Sequence, residues 1–128
     1  MKARIHLFGA LVACLLAFAG PAFAHHAWHG YDMENITSVS GTVTQFDWSN
    51  PHVWISFEIT DDKGAIEKWS AGGPSPSRMA STGWDKETLK PGDQITAVGH
   101  RIKDGTYNLR LVKVVLSDGR ELICYGGR

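Results

Sequence analysis

The sequence predicts an all-β domain with one short helix, and three observations support this fold class. Apolar and polar residues alternate from Val53 to Thr60, which is the period of a strand with one buried face. Turn sequences such as Asp61-Asp62-Lys63-Gly64 divide the chain into segments of strand length. Helix signals occur in a single segment, residues 75–83. Three strands, a helix and two more strands, followed by a terminal strand, form the order of a small OB-like Greek-key barrel with five to six strands.

The individual elements follow from local composition and turn chemistry. β-Branched and aromatic residues dominate the first predicted strand, in which Gly41 is a candidate bulge. Ser75 is a candidate N-cap of the helix and Gly83 its candidate stop. A different small β-sandwich or roll is the alternative topology, since local patterns do not determine strand pairing. The predicted strands are Ser38–Trp48, Val53–Thr60, Ala65–Ala71, Gln94–Arg101, Asn108–Leu116 and Arg120–Tyr125.

Residues 1–24 have the composition of a cleavable signal peptide. Lys2 and Arg4 supply a positive start, an apolar run follows from Ile5 to Ala19, and Ala22-Phe23-Ala24 forms a small-x-small cleavage site. The apolar run is shorter than the roughly 20 residues of a membrane-spanning helix. We therefore expect an exported, periplasmic protein that begins at His25 and has no stable membrane span after cleavage.

Two alternative processing events compete with a cut after Ala24. A cut after Ala19, which also ends a small-x-small sequence, would leave an apolar stub on the protein. Cys14 follows Leu11-Val12-Ala13, which resembles a lipoprotein cleavage box, so lipidation of Cys14 would give an anchored form. The apolar residues after Cys14 argue against that form, because a lipoprotein tether is usually polar.

Removal of residues 1–24 leaves a His-rich arm at 25–35 and one barrel domain at 36–128. The signal segment holds two basic residues and no acid, so 13 basic against 13 acidic residues become 11 against 13, a net charge of −2. This balance argues against nucleic-acid binding, which needs a basic surface. Cys124 becomes the single thiol, so the domain is stabilised by its core and not by an internal disulfide.

The sequence lacks the motifs of an enzyme. No nucleophile elbow surrounds its serines, and its glycines fall in turns and not in a phosphate-binding loop. Cys124 lies in the last predicted strand, where a small buried residue is the expected role. The prediction is therefore a protein without catalytic residues, and a hydrolase is the weakest alternative.

Histidines at the predicted new N-terminus suggest a metal site. A free His25 offers its α-amine and its ring to one ion, with His26 beside it. His52, at the start of the alternating strand, is the best distant ligand, and His100 is a second candidate. Nitrogen sets of this kind suit copper, and imidazole also suits zinc. The alternative is that the arm is a solvated His-rich tail.

A second candidate site is aromatic. The chain has five tryptophans, and the strand parity that places His52 opposite the core also places Trp54 there. An exposed tryptophan beside a histidine is a plausible ligand platform on an OB-like barrel, and cover by the arm at 25–35 is the equal alternative. The candidate ligand-binding residues are Trp48, Asn50, Trp54 and Trp84.

Several motifs together resemble a known group of proteins. They are the His25-His26 start followed by Tyr31-Asp32, Gly41-Thr42-Val43, Trp48-Ser49-Asn50-Pro51-His52, Gly83-Trp84 and Pro91-Gly92-Asp93. The chain resembles a family of small exported proteins of Gram-negative bacteria that carry a domain of unknown function. Tyr31 stands where phenylalanine is more usual. The resemblance covers roughly the whole chain after residue 24 and implies export and domain extent, but no activity.

Two functional hypotheses follow. The first is a periplasmic binding protein that holds copper or zinc through His25, His26 and His52. The second is a metal-free interaction module that binds a peptide, a glycan or a partner protein on its Trp-rich face. In either case the expected partner is a periplasmic protein or a small ligand.

Overall fold

The structure is a computed structural model, which describes residues 29–125. Six strands and one five-residue helix follow one another in the predicted order. They are β1 (Thr37–Asp47), β2 (Trp54–Thr60), β3 (Ile66–Gly72), α1 (Pro76–Ala80), β4 (Gln94–Arg101), β5 (Asn108–Leu116) and β6 (Glu121–Ile123). The strand bounds of β4 and β5 are those predicted, and the other elements agree to within about two residues at most ends.

The sheet closes into a five-stranded barrel. Its strand order is β3-β2-β1-β4-β5-β6, and β3 also pairs with β5. The β3–β5 pairing is parallel and joins residues 70–72 to residues 108–110, whereas the other ladders are antiparallel. This closure, with α1 between β3 and β4 and β6 as an extra strand, confirms the predicted OB-like barrel.

The alternation in β2 sorts its residues between the barrel interior and the outer surface. Val53, Ile55 and Phe57 are completely buried, and Ile59 is half-buried against the same core. The intervening side chains lie on the outer face, beginning with Trp54. The period of two therefore predicted both faces of this strand correctly.

The irregularity in β1 lies three residues beyond the predicted position. The register with β2 shifts between Val43 and Gln45, so the bulge is there and not at Gly41. Gly41 instead marks a close approach of two strands, because a Cβ atom at this position would lie 2.6 Å from the carbonyl oxygen of Glu58. The sequence signal for both features is the same, since a glycine inside a strand accompanies either.

The described part of the N-terminal arm continues the sheet beside β4. Tyr31 bridges Ile102, and the amide of Asp32 donates to the carbonyl of Arg101 at 2.8 Å. The Tyr31 hydroxyl donates to Asn108 Oδ1 at 2.6 Å, and the Asn108 amide donates to Ser70 Oγ at 2.8 Å. These bonds attach the arm to the outer surface of β5 and β3. Among residues 29–125, no helix has the length and apolar character needed to cross a membrane.

Candidate functional site

One lateral row of residues crosses the outer face of the barrel. The strand registers align Asp47 of β1 with Trp54, Trp54 with Gly72, Gly72 with Arg110, and Arg110 with His100. Neighbouring strands in a sheet are about 4.8 Å apart, so consecutive members of the row are in contact range. The row brings an indole, a guanidinium and an imidazole from three different strands onto one surface.

Trp54 is the aromatic centre of this row. Its side chain is half-buried on the outer face, and the outer edge of its six-membered ring covers Gly72. A Cβ atom at position 72 would lie 2.8 Å from two atoms of that ring. Glycine is therefore required beneath the ring for the observed packing, and the ring is held in one place on the barrel surface.

His52 lies two residues before Trp54, at the entry to β2. The next residue is fixed on both sides, because the amide of Val53 donates to Pro74 and its carbonyl accepts from Gly73, at 3.0 and 2.8 Å. The His52 side chain is half-buried, and its Nδ1 atom is buried. The structure thus places His52 at a rigid position close in sequence to the Trp54 surface.

His100 fixes the arm to the barrel. Its Nδ1 atom lies 2.9 Å from the carbonyl oxygen of Asp32 and 3.0 Å from that of Asn35. Since a carbonyl oxygen only accepts hydrogen bonds, Nδ1 carries the proton and donates. In the neutral ring the lone pair is then on Nε2.

The predicted metal ligands are only partly within the described chain. His52 and His100 are described, whereas His25 and His26 lie outside residues 29–125. Within that range no group of three or more His, Cys, Asp or Glu side chains is arranged to hold a metal ion. A metal site as predicted would therefore depend on His25 and His26.

The four predicted ligand-binding residues divide between two surfaces. Trp48 and Trp84 both contact Phe46, with ring centroids 5.8 and 6.1 Å apart, and these rings pack against the core. Trp84 is only 2% exposed, and its indole N–H donates to the carbonyl oxygen of Ile123 at 2.9 Å. Trp54 lies on the outer face of β2.

The loop between β1 and β2 carries the exposed member of the predicted set. Asn50 is exposed beside a cis peptide bond to Pro51. Trp48 is half-buried in the same loop. The loop therefore combines an exposed polar side chain, Asn50, with the nearby Trp48 ring, which packs against the core.

Two residues of the outer face were not singled out by the sequence. The Arg110 guanidinium lies 5.1 Å from the centroid of the Tyr125 ring, against its face. Burial raises the pKa of Tyr125, and the positive charge of Arg110 opposes that rise. No sequence pattern joins these residues, because β5 and the segment after β6 meet only in the folded protein.

Cys124 is buried in the core and is not a candidate nucleophile. It has no exposed surface, and burial raises the pKa of its thiol from 9.0 to about 12. A thiol with this pKa is protonated at neutral pH, whereas the thiolate is the reactive form. The structure thus supports the structural role that the sequence predicted for it.

Two shallow hollows lie away from all these residues, between β4 and the turn after β5. They have volumes of about 160 and 210 Å³ and share Gln94, Leu116 and Ser117 in their linings. Neither is lined by a predicted metal or ligand residue.

Comparison with known proteins gives a family but no activity. No curated protein matches the chain. The sequence profile of a family described as "Family of unknown function (DUF6152)" matches residues 12–109, about three quarters of the chain. The match covers β1 to β4, including the loop of Trp48 and His52 and the residue Trp54, and it ends at the start of β5. The chain therefore belongs to the DUF6152 family of unknown function.

Proposed function

We propose that this protein is a small exported binding protein whose ligand lies on the outer face of β2, β3 and β5 around Trp54. The proposal is based on the position of the Trp54 ring. Glycine beneath it and a half-exposed indole are features of a preformed aromatic platform on a rigid sheet. Burial of Cys124 means only that this thiol is not an exposed nucleophile.

The ligand of this platform would be a peptide, a glycan or an exposed segment of a periplasmic protein. Such ligands are extended and present flat groups that stack on an indole, which suits the open side of an OB-like barrel. Trp48 and Asn50, on the loop after β1, are the candidate contacts at the rim. Trp84 contacts Phe46 from the core, and Phe46 in turn contacts Trp48.

Nuclear magnetic resonance of the ¹⁵N-labelled protein that begins at His25 tests the platform. The probes are a short neutral peptide and a neutral oligosaccharide, each added in increasing amounts. We expect one of them to shift the Trp54 indole signal and the Gly72 amide, and Trp54→Ala to abolish its binding. The Trp84 indole is the internal control, because its N–H is already bonded inside the protein. Shifts confined to other surfaces would reject the platform.

We also propose a metal site, as a second candidate function, in which His25, His26 and His52 hold Cu(II) or Zn(II). The observation that favours it is the fixed position of His52 at the entry to β2. An N-terminal histidine chelates through its amine and ring together, and a third nitrogen on a rigid strand would complete a set suited to copper.

Copper titration against a competing chelator tests this site with three proteins. They are the protein that begins at His25, the same protein with one extra residue before His25, and His52→Ala. The extra residue removes the terminal amine and leaves every side chain in place. We expect both changes to weaken Cu(II) binding, and the affinity to fall as the pH drops through about 8 and 6.5, since the ligands must be deprotonated. Equal binding by all three proteins would identify the arm as an adventitious His-rich tail.

Export to the periplasm is part of the proposal and has its own measurement. The intact mass of protein recovered from a Gram-negative periplasm should correspond to residues 25–128. A diacylglyceryl mass on Cys14 would instead identify a lipoprotein, and would remove the free amine on which the metal site depends.

A further inference from the structure

A positive charge lies against the aromatic part of the barrel core. The central carbon of the Arg101 guanidinium is 5.2 Å from the centroid of the Trp69 ring and 5.8 Å from that of the Tyr107 ring. The two rings contact each other, with centroids 5.1 Å apart. Trp69 is only 6% exposed and stacks on the fully buried ring of Phe57. The cation therefore covers a group of rings that continues into the core.

The strand register explains why Arg101 faces these rings. Arg101 is the last residue of β4 and pairs with Leu109, whose side chain is completely buried. Side chains of directly paired residues lie on the same face of a sheet. The Asp32 amide donates to the Arg101 carbonyl at 2.8 Å and so fixes the backbone at this end of the strand. Arg101 thus lies on the opposite face of β4 from His100, which belongs to the outer row.

The nitrogen atoms of the Arg101 guanidinium are open to solvent. Arg101 forms no ion pair and no side-chain hydrogen bond with any of residues 29–125. None of its nitrogen atoms is buried in this part of the chain, although the side chain as a whole is half-buried. The donors of the guanidinium fork, which matches the two oxygens of a carboxylate, are therefore available to a ligand.

The acids near these rings leave the charge of Arg101 without a direct counterion among residues 29–125. Glu67 Oε2 accepts the indole N–H of Trp69 at 3.0 Å and forms no ion pair with Arg101. Asp104, in the turn after β4, accepts hydrogen bonds from Thr106. Water screens a half-buried charge less than an exposed one, so a bound anion would gain more at Arg101 than at a fully exposed cation.

We propose that Arg101 and the Tyr107 ring form a binding site for a carboxylate attached to an apolar group. The guanidinium fork would bind the carboxylate, and the Tyr107 ring, which is 42% exposed, would contact the apolar part. One cation matches the single charge of a carboxylate better than the nearly double charge of a phosphate. Because Arg101 lies on the opposite face of β4 from the outer row, this site does not depend on the proposed Trp54 binding face.

Nuclear magnetic resonance of the protein recovered from a Gram-negative host tests the site, with ¹⁵N labels on the backbone, the indoles and the arginine side chains. Phenylacetate and phenylacetamide are the probes, because they share a ring and differ in charge. We expect phenylacetate to shift the Arg101 side-chain and Trp69 indole signals and to bind about fivefold more tightly than the amide. Inorganic phosphate should bind more weakly than phenylacetate, and equally tight binding of phosphate would contradict a carboxylate site.

Three variants locate the charge that binds the probe. Arg101→Gln should abolish the preference for phenylacetate over the amide. Lys103→Gln is the matched control, because it removes one positive charge from an exposed residue two positions further along and should keep the preference. Glu67→Gln retains an acceptor for the Trp69 indole and removes the negative charge, so phenylacetate should bind about twofold more tightly. This variant leaves Arg101 in place and tests the site even where Arg101→Gln does not fold.

The opposite results would each overturn the proposal. An equal loss of preference in Arg101→Gln and Lys103→Gln would indicate a general attraction between the anion and nearby positive charges. No shift of the Arg101 or Trp69 signals with any probe would make Arg101 only a cover of the core. Unchanged or weaker binding by Glu67→Gln would place the anion away from Trp69. Shifts of the Trp54 indole alone would reject this site and leave the separate Trp54 face supported.

Discussion

The six-membered ring of Trp54 covers Gly72, its cross-strand neighbour, so closely that a methyl group at position 72 would lie 2.8 Å from two ring atoms. The contact joins the outer faces of β2 and β3. It also positions the indole on which the proposed binding face depends. Its energetic consequence can be measured separately from ligand binding.

Gly72→Ala should destabilise the protein by about 1–3 kcal/mol, because the added methyl must displace the Trp54 ring. Urea unfolding of Gly72→Ala, Trp54→Ala and the double variant measures the coupling. In the double variant the ring is absent, so the cost of the methyl group should largely disappear. If Gly72→Ala lowers stability as much in the Trp54→Ala variant as in the parent protein, the backbone, and not the ring, requires glycine.

Ile55→Ala should cost about 2–5 kcal/mol of stability, because Ile55 is fully buried in the barrel core. Thr60→Ala, at the exposed end of the same strand, is the control and should change stability by less than about 0.5 kcal/mol. Denaturant unfolding monitored by tryptophan fluorescence measures both. A loss below about 0.5 kcal/mol for Ile55→Ala would contradict the assignment of the buried face.

Alkaline pH should destabilise the fold through Cys124. Burial raises the pKa of its thiol from 9.0 to about 12, so between these values the unfolded chain loses the proton and the folded protein keeps it. The stabilising contribution is complete below pH 9.0 and is lost as the pH rises, by up to about 1.4 kcal/mol per unit. Cys124→Val, compared with the parent at pH 8 and about 10.5, should lose less stability over this interval. Equal losses in both proteins would assign the effect to other groups.

Arg110→Gln should raise the pKa of Tyr125. The guanidinium beside the ring favours the phenolate and so opposes the rise that burial causes. Without that charge only the weaker influence of Arg78 would favour ionisation. Titration of ring-labelled tyrosine by nuclear magnetic resonance measures the change, with Tyr125→Phe to assign the signal and Arg120→Gln as the control. If the pKa of Tyr125 falls or stays constant in Arg110→Gln, the Arg110 charge does not act on the Tyr125 hydroxyl.

The local elements of the fold were predictable because each has a short-range cause. The alternation from Val53 to Thr60 predicted the buried and outer faces of β2, and that assignment is confirmed. Turn residues predicted the ends of β4 and β5, since Asp104-Gly105 and Ser117-Asp118-Gly119 combine carboxylate turns with glycines of positive φ. These interactions join residues that are close in sequence, so a local sequence pattern is enough to predict them.

The surface roles of the tryptophans needed the tertiary structure. Trp54, Trp48 and Trp84 are equally apolar in the sequence, and all were candidate ligand contacts. The fold buries Trp84 beneath Phe46 and places Trp54 on the outer face. Residue type alone does not distinguish these environments, because the buried indole N–H of Trp84 finds its acceptor at the carbonyl of Ile123, 39 residues away.

The sequence by itself determined the all-β class, the order of the elements and the core face of β2, because periodicity and turn chemistry act over a few residues. Only the tertiary structure decided that β3 closes on β5 and that Trp54, Gly72, Arg110 and His100 share one row. Those neighbours come from four strands, and a shift of one residue in any register would move a side chain to the opposite face. The alignment of the proposed binding face is therefore a property of the closed barrel, set by packing between distant segments.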